Sequence, residues 1–375
     1  MAGIYLHIPY CKQRCSYCDF HFSTNLNSKT ELIQALKKEI NLRKNEIHEP
    51  VQTIYFGGGT PSILSEVELN EIFEQLNSNF DLSQVKEVTL EANPDDLTEE
   101  KLKFFATTPI NRFSIGIQSF FEEDLRLMNR AHNSQEAENC IKRAQDFGFE
   151  NLTIDLIYGS NTTSHLMWQQ NLQKAIDLGI NHISSYALTV EEKTVLNRKI
   201  EKGEWNPIND EHQSLQFDYL VQFLEENGFI QYEISNFGKP GFFSQHNSNY
   251  WKGVPYIGFG PSAHSYNGKQ RAWNIANNAK YINDLRNNHL PLEIENLSLA
   301  EQYNEMVMIG LRTIYGIDIK QIQKQFGDRI NSYFQEEIKQ LLQEKLIQQI
   351  EDKIILTKEA KFFADGIASR LFYVD

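Results

Sequence analysis

The sequence predicts an α/β fold, in which a partial (β/α)6 barrel is followed by a small C-terminal helical, winged-helix-like domain. Short apolar runs alternate with helical patterns over the first two thirds of the 375-residue chain, and this alternation is typical of parallel βαβ units. Near the C-terminus, helical patterns are followed by two short strands, which indicates a second and smaller unit. In barrels of this kind the functional side chains lie at the carboxyl ends of the strands.

Six apolar runs are predicted to be the barrel strands: Ile4–Ile8, Ile54–Phe56, Val88–Glu91, Arg112–Ile117, Leu152–Ile157 and His182–Ala187. Helical patterns fit between them. Ser65 with Glu68 forms a capping-box pattern at the start of one helix. Ser134 is predicted to cap another helix, which Gly148 is well placed to end.

The pattern changes near residue 285. Ser298 is predicted to cap one helix, and Asp318 is predicted to open a short helix that ends at Gly327. A third helix is predicted from about Ser332 to Lys345, and a hairpin follows it, made of two predicted strands, Leu346–Ile350 and Ile354–Thr357. We therefore expect a barrel domain over residues 1–270 and a C-terminal domain over residues 285–375.

Charge and hydropathy exclude several classes of protein. The formal net charge is −14 at pH 7, which disfavours general nucleic-acid binding because phosphate backbones attract basic surfaces. We therefore expect the winged-helix-like unit to pack or to contact proteins. No signal peptide and no apolar run long enough for a transmembrane helix are found in the sequence. A cytoplasmic location is expected, and peripheral membrane contact stays open.

Three of the four cysteines lie close together in Cys11-Lys-Gln-Arg-Cys15-Ser-Tyr-Cys18. Three thiolates at this spacing can hold an iron–sulfur cluster, and one iron would keep an open position because no fourth cysteine is nearby. A Cys3His zinc site with His21 is the alternative. The loop follows the first predicted strand, at the functional rim, which favours the cluster. Cys140 lies on an apolar helix face and is interpreted as a core residue.

The Cys-x3-Cys-x2-Cys spacing, with an aromatic residue before the last cysteine, resembles the signature of the radical-SAM superfamily. The resemblance implies a 4Fe-4S cluster on Cys11, Cys15 and Cys18. In that family the open iron chelates the amino and carboxylate groups of S-adenosylmethionine (SAM), and reductive cleavage gives a 5′-deoxyadenosyl radical. By its match to the family's aromatic residue, Tyr17 would lie against the adenine.

Polar residues interrupt the predicted strands at their ends. Glu91, Gln118 and Asp155 stand in or after successive apolar strands, where a buried polar side chain needs a partner. An ordinary buried network is the alternative, but three such residues at successive strand ends favour a shared polar ligand. Arg130 could pair with a carboxylate, although a solvated arginine is the default for this residue alone. A Gly-Gly-Gly-Thr-Pro loop, residues 57–61, follows the second strand.

These segments, in this order, resemble the radical-SAM branch related to oxygen-independent coproporphyrinogen III oxidase, over nearly the whole chain. The resemblance implies nine SAM contacts: Tyr5, Gly58, Gly59, Thr60, Glu91, Gln118, Arg130, Asp155 and Ala187. One departure concerns the segment after Asp155, where the family usually has Leu-Pro and this chain has Ser160 and Asn161. The shape of that loop is therefore in doubt.

Three features distinguish the oxidase from its relatives. The oxidase has a further cysteine where this chain has Phe20, and a long segment before the cluster loop, where only ten residues precede Cys11 here. The string His246-Asn-Ser-Asn-Tyr250-Trp251 resembles the mark of the HemW-type heme chaperones. This resemblance implies binding of heme and its delivery to apo-hemoproteins such as respiratory enzymes, with no catalytic turnover. The alternatives are the oxidase itself and a radical-SAM enzyme with an unrelated substrate.

Heme chemistry is compatible with that string. A neutral imidazole such as that of His246 can ligate heme iron, and Tyr250 with Trp251 could cover a porphyrin face. From chemistry alone, a structural histidine among core aromatics is the better interpretation, and the family resemblance reverses that preference. His264 is a second candidate ligand with weaker support.

Overall fold

The six predicted barrel strands form the centre of a 12-stranded sheet, parallel and in sequence order. The computed structural model describes residues 1–374. The central strands are β1 (Ala2–Ile8), β2 (Val51–Gly58), β3 (Glu87–Ala92), β4 (Arg112–Gln118), β5 (Leu152–Tyr158) and β6 (His182–Ala187). Their apolar side chains are almost all buried, as the continuous apolar runs require for a parallel sheet covered on both faces.

Six further strands extend the sheet at both ends: β7 (Ile230–Glu233), β8 (Asn236–Gly238), β9 (Tyr256–Phe259), β10 (His264–Tyr266), β11 (Gln270–Asn274) and β12 (Leu292–Asn296). Strand β9 pairs in parallel with β1, and β10, β11 and β12 continue from it in antiparallel order. At the other end, β8 pairs antiparallel with β6 and with β7. The strand order β12-β11-β10-β9-β1-β2-β3-β4-β5-β6-β8-β7 does not close, so the barrel is partial, as predicted.

Ten helices accompany this sheet: α1 (Lys29–Leu42), α2 (Glu66–Asn79), α3 (Glu99–Phe105), α4 (Glu122–Leu127), α5 (Ser134–Asp146), α6 (His165–Asp177), α7 (Val195–Glu201), α8 (Asp210–Glu226), α9 (Gln245–Trp251) and α10 (Asn278–Arg286). The Ser65–Glu68 capping box at the start of α2 is confirmed. The predicted cap of α5 is wrong by one residue, because Asn133 and not Ser134 caps it. Glu136 stands three residues after Asn133, and the two close a capping box at 2.9 Å in both directions.

The C-terminal part contains α11 (Leu299–Leu311), α12 (Ile319–Gln343) and α13 (Ala364–Ser369), with a sheet of β13 (Ile317–Asp318), β14 (Ile347–Ile350) and β15 (Lys353–Leu356). Asp318 caps α12 as predicted. Gly327, with φ of 75° and ψ of −176°, is non-helical and separates two helical segments within α12, so the predicted end of the short helix at Gly327 is confirmed. The predicted bounds of the two domains stay a prediction.

Two hydrophobic cores correspond to these parts. The larger lies between the central strands and their helices, and the smaller joins α11, α12 and the three-stranded sheet. The backbone links the two parts, because Ile234 N donates to Arg312 O at 3.0 Å and Ile314 N donates to Tyr232 O at 3.1 Å. Within residues 1–374, no helix combines the length and apolar character needed to cross a bilayer.

A buried ion pair fixes α1 against the antiparallel end of the sheet. Arg43 donates to Glu39 at 2.7 Å, and both side chains have 0% exposure. Arg43 also donates to Gly258 O at 2.7 Å. Glu39 in turn accepts hydrogen bonds from Gly260 N at 2.9 Å and from the Tyr281 hydroxyl at 2.5 Å. Because these partners satisfy both charges, the pair can persist without water.

Candidate radical-SAM site

The cysteine loop lies after β1, at the end of the barrel where the parallel strands terminate. Cys11, Cys15 and Cys18 are free thiols of intermediate burial. Ser16 fixes the loop, since its hydroxyl donates to Leu127 O at 2.9 Å and its backbone N–H donates to Met128 O at 3.0 Å. These bonds hold the loop against the C-terminal end of α4.

Three cysteine thiols on one loop are a donor set that suits an iron–sulfur cluster with one open iron. Within residues 1–374, no three His, Cys, Asp or Glu side chains converge closely enough to hold one metal ion. The predicted fourth zinc ligand is engaged elsewhere, because His21 Nε2 is hydrogen-bonded to Asn278 Oδ1 at 2.7 Å.

Burial favours the neutral thiol form of Cys11 and Cys18 when no metal is bound. Burial raises the pKa of Cys11, and it raises the pKa of Cys18 to about 12. Metal and cluster binding requires thiolates, so loading this site must release protons.

Arg130 contacts the cysteine loop directly. Its Nη1 donates to Cys15 Sγ at 3.1 Å, and its Nη2 donates to Asn93 Oδ1 at 2.6 Å and to Gly116 O at 2.8 Å. The default of a solvated arginine therefore does not apply. The buried Nε has no hydrogen-bond partner among the described residues, so one donor stays free for an acceptor on a ligand.

The glycine loop after β2 packs against the start of the cysteine loop. Gly59 N donates to Ile8 O at 2.9 Å, and Thr60 N donates to Tyr10 O at 2.8 Å. A Cβ at Gly59 would lie 2.7 Å from Tyr10 O, so only glycine fits. Gly58 has φ of 108° and donates its N–H to Glu91 Oε2 at 3.2 Å. The loop and the end of β3 thus form one polar surface.

Two carboxyl groups face this surface from β3 and β5. Burial raises the pKa of Glu91 to about 7, and burial also raises the pKa of Asp155 to about 7. Glu91 accepts a hydrogen bond from the Tyr55 hydroxyl at 2.8 Å, and Asp155 accepts one from Ser114 at 3.3 Å. Two desolvated acids this close to ionisation favour a ligand that carries positive charge.

The other predicted contacts lie around the same strand ends. Tyr5 bonds His7 Nδ1 at 3.1 Å and stacks on Tyr55. Gln118 ends β4 with φ of 67°, an uncommon conformation for a residue other than glycine. Tyr17 packs against a small buried cluster that includes Met128 and Leu188. Ala187 is the last residue of β6.

The predicted heme residues lie on and near α9. His246 has 1% exposure, and both ring nitrogens are engaged, Nδ1 with Thr53 Oγ1 and Nε2 with the Tyr250 hydroxyl, each at 2.8 Å. Tyr250 and Trp251 line a cavity of about 650 Å³ between the barrel and the C-terminal part. His264 lies on β10 with an exposed side chain.

Comparison with known proteins identifies the family. The model of the Radical SAM superfamily matches residues 5–175, and that of the HemN C-terminal domain matches residues 297–363. A Bacillus subtilis protein named heme chaperone HemW is 34% identical over 333 residues, or 87% of each chain. The chain belongs to the HemW family. An Escherichia coli protein of the same name is 35% identical over 268 residues, covering 70% of this chain and 69% of its own.

A solved structure confirms the predicted fold of this HemW-family chain. Coproporphyrinogen III oxidase (HemN) from Escherichia coli, described as a radical SAM enzyme, superposes with a TM-score of 0.86 over 99% of this chain and 90% of its own. At 22% identity the likeness shows the fold alone. Membership of the radical-SAM superfamily implies a 4Fe-4S cluster and SAM.

Sequence reasoning missed two residues of this HemW-family site. Asn93 joins Arg130 to Thr60 through hydrogen bonds of 2.6 and 3.2 Å. It stands two residues after Glu91, so its position after β3 could have indicated it. Tyr55 bonds Glu91, and only the alternation of β2 could have placed it on the same face as Gly57.

Proposed function

We propose that this protein binds heme and delivers it to apo-hemoproteins, such as respiratory enzymes, and that it acts in the cytoplasm with a 4Fe-4S cluster and SAM. The names of the HemW relatives support the proposal. The observation that carries it is the aromatic cavity lined by Tyr250 and Trp251. Both residues belong to the string at residues 246–251 that resembles the sequence motif of the HemW-type heme chaperones.

The volume and lining of the cavity support a flat aromatic ligand such as a porphyrin. Its volume of about 650 Å³ lies within the roughly 300–1,000 Å³ of small-molecule sites. Aromatic rings supply flat apolar surface, and Arg271, paired with Glu305 at 2.9 Å, lies where it could meet a propionate. Met308 also lines the cavity, and a thioether group can ligate heme iron in proteins.

His246 enters this proposal through its hydrogen bonds. As an axial heme ligand, which the family resemblance implies, it would have to release Tyr250 or Thr53 to free a ring nitrogen. Burial lowers the pKa of His246 to about 3, so the imidazole is neutral.

The candidate residues at the carboxyl end of the barrel strands each have a proposed role. Cys11, Cys15 and Cys18 would hold the cluster, and Arg130 would stabilise the Cys15 thiolate with a charged hydrogen bond. Glu91 and Asp155 would face the positive charge of SAM. When bound, the cluster and SAM supply reductive cleavage of a sulfonium, and the protein's residues bind and orient the two groups.

Anaerobic heme titration of the cluster-reconstituted protein tests the proposal. We expect stoichiometric binding that weakens at least about tenfold in Trp251→Leu, because a porphyrin would lose its aromatic contact. Trp273→Leu is the matched control, since Trp273 lies on β11 and does not line the cavity. Coproporphyrinogen is then added to the same samples with SAM. Oxidative turnover, or equal heme binding by both variants, would contradict the proposal.

A further inference from the structure

A continuous column of side chains crosses the barrel interior from the SAM end to the aromatic cavity. The Tyr55 hydroxyl donates to Glu91 at 2.8 Å. The Tyr55 ring stacks on the His246 ring, with 5.0 Å between centroids and 26° between planes. His246 Nε2 is hydrogen-bonded to the Tyr250 hydroxyl at 2.8 Å, and Tyr250 lines the cavity.

The surroundings leave this column little freedom. A Cβ at Gly3 would lie 3.3 Å from the His246 ring and 3.2 Å from Thr53, so the wall beside the imidazole is tight. Thr53 holds Nδ1 at 2.8 Å while Tyr250 holds Nε2. A neutral imidazole has one donor and one acceptor nitrogen, so its tautomer fixes which hydroxyl donates to it.

Strand β3 gives a second connection between the same two ends. Glu87, its first residue, accepts hydrogen bonds from Gln245 N at 2.8 Å and from His246 N at 2.9 Å, and so anchors the start of α9. Glu91, four residues later on the same strand, accepts from Tyr55 and from Gly58 N in the glycine loop. The helix that carries Tyr250 and the loop at the SAM end are thus fixed to one strand.

We propose that the Glu91–Tyr55–His246–Tyr250 column couples ligand binding at the SAM end to heme binding in the aromatic cavity, with His246 as the positioning residue. The inference rests on the proposed function and adds regulation to it. A cationic ligand that engages Glu91 competes for the oxygen that holds Tyr55. Movement of the Tyr55 ring would disturb the imidazole stacked on it, and the imidazole holds the hydroxyl of Tyr250.

Coupling of this kind is reciprocal. If SAM changes the heme affinity by a given factor, heme must change the SAM affinity by the same factor, typically about 5- to 150-fold between coupled sites. Both directions can be measured on one cluster-loaded protein with hemin and SAM as the probes.

The decisive variant is Tyr55→Phe, which keeps the stacked ring and removes only the hydroxyl that bonds Glu91. We expect the wild type to show a heme dissociation constant that changes at least about fivefold on saturation with SAM, with a SAM-dependent shift of the heme absorbance band. In Tyr55→Phe, the heme dissociation constants measured with and without SAM should be nearly equal, and the SAM-dependent shift of the heme band should disappear. Tyr250→Phe should act in the same direction.

Tyr232→Phe is the matched control. Its hydroxyl is bonded at 2.7 Å to a buried histidine, His182, whose Nδ1 is held by Thr153 at 3.1 Å, so the local arrangement repeats that of His246. Tyr232 lines neither ligand site, and its variant should keep the wild-type coupling. An unfolding midpoint for each variant separates coupling from loss of fold.

The outcomes separate the two proposals. Heme and SAM binding without mutual influence in the wild type would overturn the coupling and leave the heme function standing. If coupling persists in Tyr55→Phe, the proposal that the column carries the coupling is wrong. Absence of specific heme binding in the wild type would overturn the proposed function, and the coupling with it.

Discussion

Arg130 donates a hydrogen bond from Nη1 to the sulfur of Cys15 across 3.1 Å. The two residues are 115 positions apart in the chain, and Gly116 and Asn93 hold the other side of the guanidinium. The arginine therefore belongs to the immediate surroundings of the proposed cluster. Hydrogen bonds to ligand sulfurs tune both the stability and the reduction potential of such clusters.

We expect Arg130→Gln to lower cluster retention about 10- to 100-fold and to make the reduction potential more negative, because a positive donor to sulfur is lost. Iron content after gel filtration and anaerobic redox titration measure the two effects. Arg126→Gln is the control, since Arg126 is exposed on α4 and bonds only its own helix at Glu122 O. Equal iron content and potential in both variants would contradict a role for Arg130 at the cluster.

The identity of the metal centre can be tested at His21. A cluster on three cysteines predicts that Cys18→Ser loses iron from about four atoms per chain to background, whereas His21→Ala keeps it. A Cys3His zinc site predicts that both variants lose their metal. Metal analysis and the visible absorbance of the cluster distinguish the two. Cys140→Ala is the control, because Cys140 is buried in the core and donates to Ala137 O at 3.2 Å.

SAM binding should release protons near pH 6.5. Burial raises the pKa of Glu91 from 4.5 to about 7 and that of Asp155 from 3.8 to about 7, and a nearby positive charge would lower both again. Calorimetry at pH 6.5 in buffers of different ionisation enthalpy should count the protons released. Glu91→Gln should release fewer protons when SAM binds. SAM should also bind the wild type more tightly as the pH rises from 6 to 8. Binding without proton release would argue against carboxyl groups at the SAM charge.

The same shifts make the stability of the ligand-free protein depend on pH. A carboxyl whose folded pKa lies above its unfolded value binds more protons in the folded state between the two values. The free energy of unfolding should therefore fall as the pH rises through the window from about 4.5 to about 7 for Glu91. Denaturant unfolding at several pH values measures this, and Glu91→Gln should show a smaller fall over the window.

Breaking the buried ion pair should destabilise the barrel strongly. Arg43→Met leaves the Glu39 charge buried without its partner, which costs about 3–5 kcal/mol. Arg286→Met is the control, because its 2.8 Å pair with Glu31 is exposed at 60% and 56%, and such surface pairs contribute about 0–1 kcal/mol. Denaturant unfolding compares the two variants. A cost for Arg43→Met as small as the control would show that water enters the site.

The six central strands could be predicted because parallel strands bury both faces and read as apolar runs. The cysteine loop could be predicted because all three ligands lie in one short segment. The sequence does not predict strands β7 to β12, since each has only three to five residues and β12 is almost wholly exposed. Such short segments have too little periodicity to separate them from loops.

Long-range contacts explain the rest of what sequence reasoning missed. Glu39 and Arg43 have the spacing of an ordinary surface pair on a helix, and only partners more than 200 positions away make them a buried centre. The stack of Tyr55 on His246 joins residues 191 positions apart, and no local pattern indicates it. The sequence string around His246 could be recognised, but the hydrogen-bonding and stacking partners of the imidazole are visible only in the fold.

The backbone link between β7 and the segment from Arg312 to Ile314 has a consequence for shortened chains. Strand β7 is the last strand of the large sheet, and its outer side is covered by the hydrogen bonds to Arg312 and Ile314. A chain that ends before residue 297 would leave these groups open to pairing with another copy. The C-terminal part thus covers an edge of the sheet that could otherwise pair between molecules. Removing it should produce protein that self-associates even if the barrel folds.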